Sequence, residues 1–190
     1  TPLYSSAASD VYKRQIFFKS RRELRNWLSK NFAKPEGIWA LHYKKSSGLG
    51  DLSWEAIVEE CLCFGWIDSL PGKVDETKTK IYISPRKTNS GWSRRNKALL
   101  IDLQKSGLIE KPGLEAIERA KANGSWERFD MAEALEISPE LQLAFDKDQK
   151  FFSKWKELSE AKQRQALQLI YDAKTEATKQ KRIQDLMKAL

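Results

Sequence analysis

The sequence predicts a helix-rich α+β fold, with a small sheet of about three strands packed with helices and then a C-terminal helical subdomain. Three observations predict it. Apolar residues recur at helical spacing along most of the chain. Two short runs, Ile38-Trp39-Ala40-Leu41-His42-Tyr43 and Lys80-Ile81-Tyr82-Ile83, are rich in aromatic and β-branched residues and read as strands. The last third of the chain shows helical periodicity only.

The opening TPLYSSAASDVYKRQ is small, polar and aperiodic and resembles translated adapter read-through. Residues 1–15 are therefore expected to be a leader outside the fold, either foreign to the natural sequence or a tail. Ser20 and Glu23 form a capping box before Leu24, Trp27, Leu28 and Phe32, a helix stopped ahead of Pro35. Gly37 opens the first strand, and a loop with two glycines follows. Ser53 caps the next helix, whose Trp54, Ile57, Val58, Cys61 and Leu62 fall on one stripe that Gly65 ends. Trp66-Ile67-Asp68-Ser69 then leads into a Pro71-Gly72 turn region before the second strand.

Ser90 through Gly107 is helical at its core, with Leu99, Leu100 and Leu103 inward. Pro112 starts another helix that points Leu114, Ile117 and Ala120 or Lys121 inward and ends at Asn123-Gly124. Trp126 and Phe129 lie in the connection. Beyond it, Ser138-Pro139 opens a helix with Leu141 and Phe145. Phe151, Phe152 and Trp155 sit on the next. Ser159 caps one with Leu167, Ile170 and Ala173, and Ile183, Leu186 and Leu190 mark the last. The expected organisation is a leader over 1–15, an α+β core over 16–130 and a helical subdomain over 131–190 packed on it.

With 41% hydrophobic residues in 190, the chain can build a core. Its net charge of +8 and pI of about 9.4 invite a polyanionic partner, such as nucleic acid or a phosphate-containing ligand, although cations that simply face water would give the same balance. No run approaches the ~20 apolar residues of a membrane span, and no export signal is recognisable. Cys61 and Cys63 are one residue apart, too tight for a comfortable disulfide. Reduced thiols point to the cytoplasm. His42 is the only histidine, which excludes a two-histidine metal site within one chain. Neither phosphate-loop glycine motif occurs. No metal or cofactor is expected, and no catalytic residue can be assigned.

Residues 77–100 carry Lys78, Lys80, Arg86, Lys87, Arg94, Arg95 and Lys97 and no acid. Ser90 and Ser93 are candidate helix caps, so the segment ends at a helix N-terminus. An anion site here would use Arg86, Lys87, Arg94 and Arg95 as cations, Ser90, Ser93 and Asn96 as neutral donors, and Trp92 as a stacking surface. The competing reading buries Trp92 and pairs Arg86 with Asp68 or Asp75. A second constellation is Trp66, Asp68 and Ser69, with His42 as a further pocket candidate. There a carboxylate can carry chemistry or tie down a turn. Cys61 lies on the apolar stripe and reads as core. Cys63 lies off it and would need a neighbouring cation to act as a nucleophile.

Several of these pieces together resemble the YdeI/OmpD-associated family, also called bacteriocin-protection or OmdA-like proteins. They are Gly37-Ile38-Trp39, Lys44-Lys45 with Ser47-Gly48, and the run Glu59-Glu60-Cys61-Leu62-Cys63-Phe64-Gly65-Trp66-Ile67-Asp68-Ser69. Pro85-Arg86-Lys87 with Ser90, Trp92, Ser93 and Asn96 follows, then Ala173-Lys174, Glu176-Ala177 and Lys181-Arg182-Ile183. Thr178-Lys179 departs from the pattern, where an arginine is expected. The resemblance implies a bacterial, cytoplasmic, mostly helical α+β protein and assigns no catalytic residues. Three functions are therefore in play: a non-catalytic stress- or bacteriocin-protection protein that binds an anion through Pro85–Lys97, an enzyme with a pocket between Asp68 and the Arg86/Arg94 loop, and a module whose C-terminal helices dock a protein partner. Oligomeric state is open.

Overall fold

In the computed structural model, residues 14–190 are described. The leader expected over 1–15 lies outside the described residues as far as residue 13. Gln15 already opens β1 (Gln15–Phe17). There follow α1 (Arg21–Asn31), β2 (Ile38–Tyr43), a 3-10 turn at Lys45–Ser47, α2 (Trp54–Cys63), β3 (Trp66–Lys73) and β4 (Lys78–Pro85). After these come α3 (Arg94–Lys105), α4 (Lys111–Ala122), the short α5 (Asp130–Glu133), α6 (Pro139–Lys147), α7 (Gln149–Glu157), α8 (Glu160–Tyr171) and α9 (Glu176–Ala189). The fold is helix-rich α+β, as predicted. It divides into two compact units, one of residues up to Ser90 with Ala98–Arg119, the other of Gly91–Lys97 with Ala120–Leu190.

Among the described residues the sheet of the first unit has four strands, in the order β1-β2-β4-β3. The extra strand is β1, whose three residues are too few to show a period. It runs parallel to β2, with Gln15 opposite Trp39, and α1 is the crossover that parallel pairing requires. β2 and β4 are antiparallel, Ile38 opposite Ile83 and Tyr43 opposite Lys78. β3 pairs with β4 from Trp66 to Lys73, so the expected turn at Pro71-Gly72 is in fact strand. Proline is tolerated there because β3 is an edge strand and its register breaks between Asp68 and Pro71. Asp75 closes the hairpin, accepting from the Thr77 and Lys78 backbone N–H groups at 2.8 and 2.7 Å.

Directly paired residues share a sheet face. Ile38, Ala40, Ile81 and Ile83 lie on one face and are buried, joined there by His42 and Asp68. Trp39, Leu41, Lys80 and Tyr82 lie on the other, where the Lys80 ammonium sits 4.4 Å over the Trp39 ring. The first face forms the core with Leu24 and Leu28 of α1 and Ile57, Val58, Cys61 and Leu62 of α2. Ser20 and Ser53 cap these helices, each accepting from the backbone N–H three residues on. Gly37 lets the chain meet β4, since a Cβ there would lie 2.5 Å from the Ile83 carbonyl oxygen. Gly65 ends α2 at φ +70°, as a left-handed cap requires.

Charge also locks α1 to α2. The Glu60 carboxylate is 1% exposed and accepts from Arg21 Nε at 2.6 Å and Arg25 Nη1 at 2.9 Å. Arg21 also reaches Glu59 at 2.5 Å, and Arg25 reaches Glu110 at 2.7 Å. Burial disfavours the charge on both arginines, but hydrogen bonds and Coulomb attraction from Glu60 outweigh it and raise their pKa values. On α4 Ala120 is buried as expected, but Leu114 is exposed and Gly113 and Ala116 are buried in its stead. The Glu110 N–H donates to the Cys63 carbonyl at 3.0 Å, and so close an approach leaves room only for small residues.

The second unit is built on one aromatic cluster. Phe145 meets Phe151, Phe152 and Trp155 at ring separations of 4.9, 5.1 and 5.6 Å. Leu141, Leu167, Ile170 and Ile183 complete its core. Ser138, Asp148 and Thr175 cap α6, α7 and α9. Ser159 stands at the start of α8, but its side chain makes no capping hydrogen bond.

Candidate functional site

The basic segment divides between the units. Arg86, Lys87 and Ser90 belong to the first, and Trp92, Ser93, Arg94, Arg95 and Asn96 to the second. Arg86 is 7% exposed and donates to the Ser90 hydroxyl at 3.2 Å, while that hydroxyl donates to the Lys87 carbonyl. Burial lowers the Arg86 pKa to about 10, partly opposed by the nearby Asp68 carboxylate. Asp68 and Arg86 are thus within electrostatic reach. Ser90 serves this local network rather than a helix. Ser93 is the cap, accepting from the Asn96 N–H at 3.2 Å. Trp92 is buried and packs on Trp126 at 5.2 Å. Arg94 and Arg95 are exposed, and Lys97 pairs with Asp130.

Lys87 belongs to a different constellation, within the first unit. An open cleft of 1070 Å³ is lined by Arg14, Lys34, Lys87, Glu36, the hydroxyl residues Ser69, Tyr82 and Ser84, and Trp27. Among the described residues its three cations stand just before β1, shortly after α1 and shortly after β4. Tyr82 is on the sheet face away from α1 and α2, its ring 5.5 Å from Trp39. Arg14 lies in the stretch expected to be a leader outside the fold, and Lys34 stands in no charge run, so neither is read from the sequence as a site residue. The signal that could have found them is topological: a parallel β1 brings residue 14 alongside Trp39, whose N–H donates to the Arg14 carbonyl.

Of the pocket candidates, His42, Asp68 and Ser69 line one small cavity of 250 Å³ with Trp54, Thr79 and Lys80. Trp66 is not among its walls. It is buried core, its indole N–H donating to the Phe32 carbonyl at 3.0 Å. His42 is 6% exposed, with Nδ1 at 3.0 Å from the Tyr43 carbonyl and 3.1 Å from that of Leu52. Two carbonyls at one nitrogen assign the proton to Nδ1 and the lone pair to Nε2. Burial lowers the His42 pKa, so the ring is neutral at physiological pH. Trp54, expected inward, is 40% exposed and donates from Nε1 to Asp68 Oδ2 at 3.1 Å.

Both cysteines are buried. Burial pushes the Cys61 thiol well up. It also lifts Cys63 to about 11, helped by Glu60 and against the nearby Arg25. Arg25 is the cation that Cys63 would need, but Glu60 neutralises it, and neither thiol is a nucleophile at neutral pH. Among the described residues no group of three or more His, Cys, Asp and Glu could hold a metal, and no helix is long and apolar enough to cross a membrane. In the second unit, a groove of 280 Å³ is lined mainly by apolar residues of α8 and α9, including Leu169 and Leu186.

The class is thus a small four-stranded α+β unit with a basic cleft, followed by a helical unit with an aromatic core. Residues 16–116, more than half of the chain, match a domain of unknown function (DUF8412), and the chain belongs to that family. Residues 134–190 match the bacteriocin-protection, YdeI or OmpD-associated family (OmdA), so the resemblance drawn from the sequence holds over the C-terminal helices. No curated protein and no solved structure matches the chain.

Proposed function

We propose that this is a non-catalytic protein of the cytoplasm, with a stress- or bacteriocin-protection role, that binds a phosphate-bearing or other polyanionic ligand through the cleft of its first unit. The observation that carries the reading is the convergence of Arg14, Lys34 and Lys87, from three separate stretches of chain, on one cleft that, among the described residues, also has three hydroxyl residues and one carboxylate, Glu36. Cations with hydroxyl donors in a concave site favour phosphate oxygens, and Trp27 and Tyr82 offer surfaces to an attached ring. The protective role rests on the C-terminal family match, and the cytoplasmic location on the two buried thiols.

The test is fluorescence-anisotropy binding of a short single-stranded oligonucleotide and of polyphosphate across a salt series. Each phosphate contact contributes roughly 0.7 to the slope of log K against log salt on a single strand. The Arg14→Ala/Lys34→Ala/Lys87→Ala variant should lose about 2 from that slope. An Arg94→Ala/Arg95→Ala variant should keep most of it. The reverse pattern would move the site to the start of α3, and no binding at low salt would end the anion reading. A second reading, protein docking, is favoured by the groove between α8 and α9. Leu169→Asp should abolish any association of the isolated full chain with a partner while leaving anion binding intact.

A further inference from the structure

We propose that the small cavity around His42 and Asp68 is a second binding site, one that takes a small organic ammonium group. It stands on different residues from the anion cleft, Ser69 excepted. Five of its side chains carry polar hydrogens, and four of those donate to the protein itself. Trp54 Nε1–H goes to Asp68 Oδ2 at 3.1 Å, and His42 Nδ1–H to the Tyr43 and Leu52 carbonyls. The Thr79 hydroxyl goes to the Gly72 carbonyl at 3.0 Å, and the Ser69 hydroxyl to the Tyr82 carbonyl at 3.3 Å. The fifth, Lys80, holds its ammonium over the Trp39 ring on the opposite sheet face.

What remains for a ligand is acceptors: a carboxylate oxygen of Asp68, the His42 Nε2 lone pair, and hydroxyl lone pairs of Ser69 and Thr79. A wall of acceptors beside an indole recognises a group that carries several N–H donors and a positive charge. The register break between Asp68 and Pro71 forms part of this cavity, as bulges beside binding sites often do. At 250 Å³ the cavity holds an amine head and little more. It shares His42, Trp54 and Thr79 with a wider groove of 860 Å³, which can take the rest of the molecule. Arg86 lies within electrostatic reach of Asp68 and offsets part of its charge, which weakens the hold on a bare amine.

His42 is the only histidine, and its imidazole nitrogens therefore give an unambiguous NMR signal. The experiment titrates n-propylammonium and, separately, tetramethylammonium into ¹⁵N-labelled full-length protein at neutral pH, observing Nε2. Propylammonium should shift Nε2 saturably. Tetramethylammonium, with charge but no N–H, should bind at least about tenfold more weakly. Asp68→Asn should weaken propylammonium by about tenfold or more, and Lys87→Ala should leave it unchanged. A shift that does not saturate, equal response to both cations, or undiminished binding by folded Asp68→Asn overturns the proposal. If Asp68→Asn does not fold, the two cations on the wild-type protein decide the matter alone.

Discussion

Glu60→Gln isolates the ion pairs that lock α1 to α2. The substitution keeps the side-chain shape and removes the charge from a carboxylate that is 1% exposed. Two charge-assisted hydrogen bonds, from Arg21 and Arg25, lose their ionic acceptor, and one amide N–H₂ is turned toward guanidinium donors. Such bonds contribute about 1.5–3 kcal/mol each, and breaking a buried pair by removing one partner costs about 3–5 kcal/mol. The arginine side chains are 37% and 26% exposed, so both can rehydrate, which selects the low end, about 3 kcal/mol. For a chain of this length that lowers the midpoint of thermal unfolding by about 6–12 °C. Amide hydrogen exchange along α2, with and without urea, reads the stability of the first unit separately from the second. Glu110→Gln is the control: its side chain is 49% exposed, and its loss should cost under about 1 kcal/mol. A Glu60→Gln change no larger than that of Glu110→Gln would refute the argument that this network fixes the helix pair.

The remaining predictions concern pH, thiols and the second core. His42 has its pKa lowered in the folded state from an ordinary 6.5, so the unfolded chain binds the extra proton first. Stability is then complete above about pH 6.5 and falls as pH drops below it, by at most about 1.4 kcal/mol per pH unit. Urea midpoints between pH 7.5 and 5.5 should show this slope in the wild type and lose that component in His42→Gln. Cys61 and Cys63 should resist a thiol reagent at pH 8 in the native protein and react only on unfolding; fast native labelling of either would contradict their burial. Phe145→Ala removes the ring at the centre of the α6–α8 cluster and should cost about 3–5 kcal/mol, read by exchange of amides in α8.

Local chemistry was legible in the sequence, and partners distant along the chain were not. Ser20, Ser53 and Ser138 announce helix starts because a cap acts within three residues of itself. Glu60 gave no such signal, since its arginines stand 35 and 39 residues away. The sheet shows the same limit. β4 has enough residues to display its composition, whereas β1 exists only through pairing with β2. The α4 face was misjudged because spacing alone selected Leu114. The close approach of Cys63 to Glu110 selects Gly113 and Ala116 instead. The basic segment shows that charge density along the chain does not predict which cations come together in space. Arg86 is buried beside Ser90, Lys97 is held by Asp130, and Lys87 turns to a cleft whose other cations, Arg14 and Lys34, lie far away in sequence.

The run from Glu59 to Ser69 makes the same point at higher resolution. It is the most distinctive stretch of the chain, yet most of its residues are explained by packing. Glu59 and Glu60 bind α1, Cys61, Leu62, Cys63 and Phe64 fill the core, Gly65 turns the chain at positive φ, and Trp66 is tied to the Phe32 carbonyl. At Asp68 and Ser69, where the edge strand leaves its register, side chains of this run line the cavities of the two candidate sites. A break in a regular ladder releases side chains from pairing constraints, and here it does so beside both candidate sites. Distinctiveness in a sequence therefore marks where the fold tolerates little change. The two proposed sites meet at the end of that stretch, where the constraint on the ladder relaxes, and there substitutions should alter ligand binding before they alter stability.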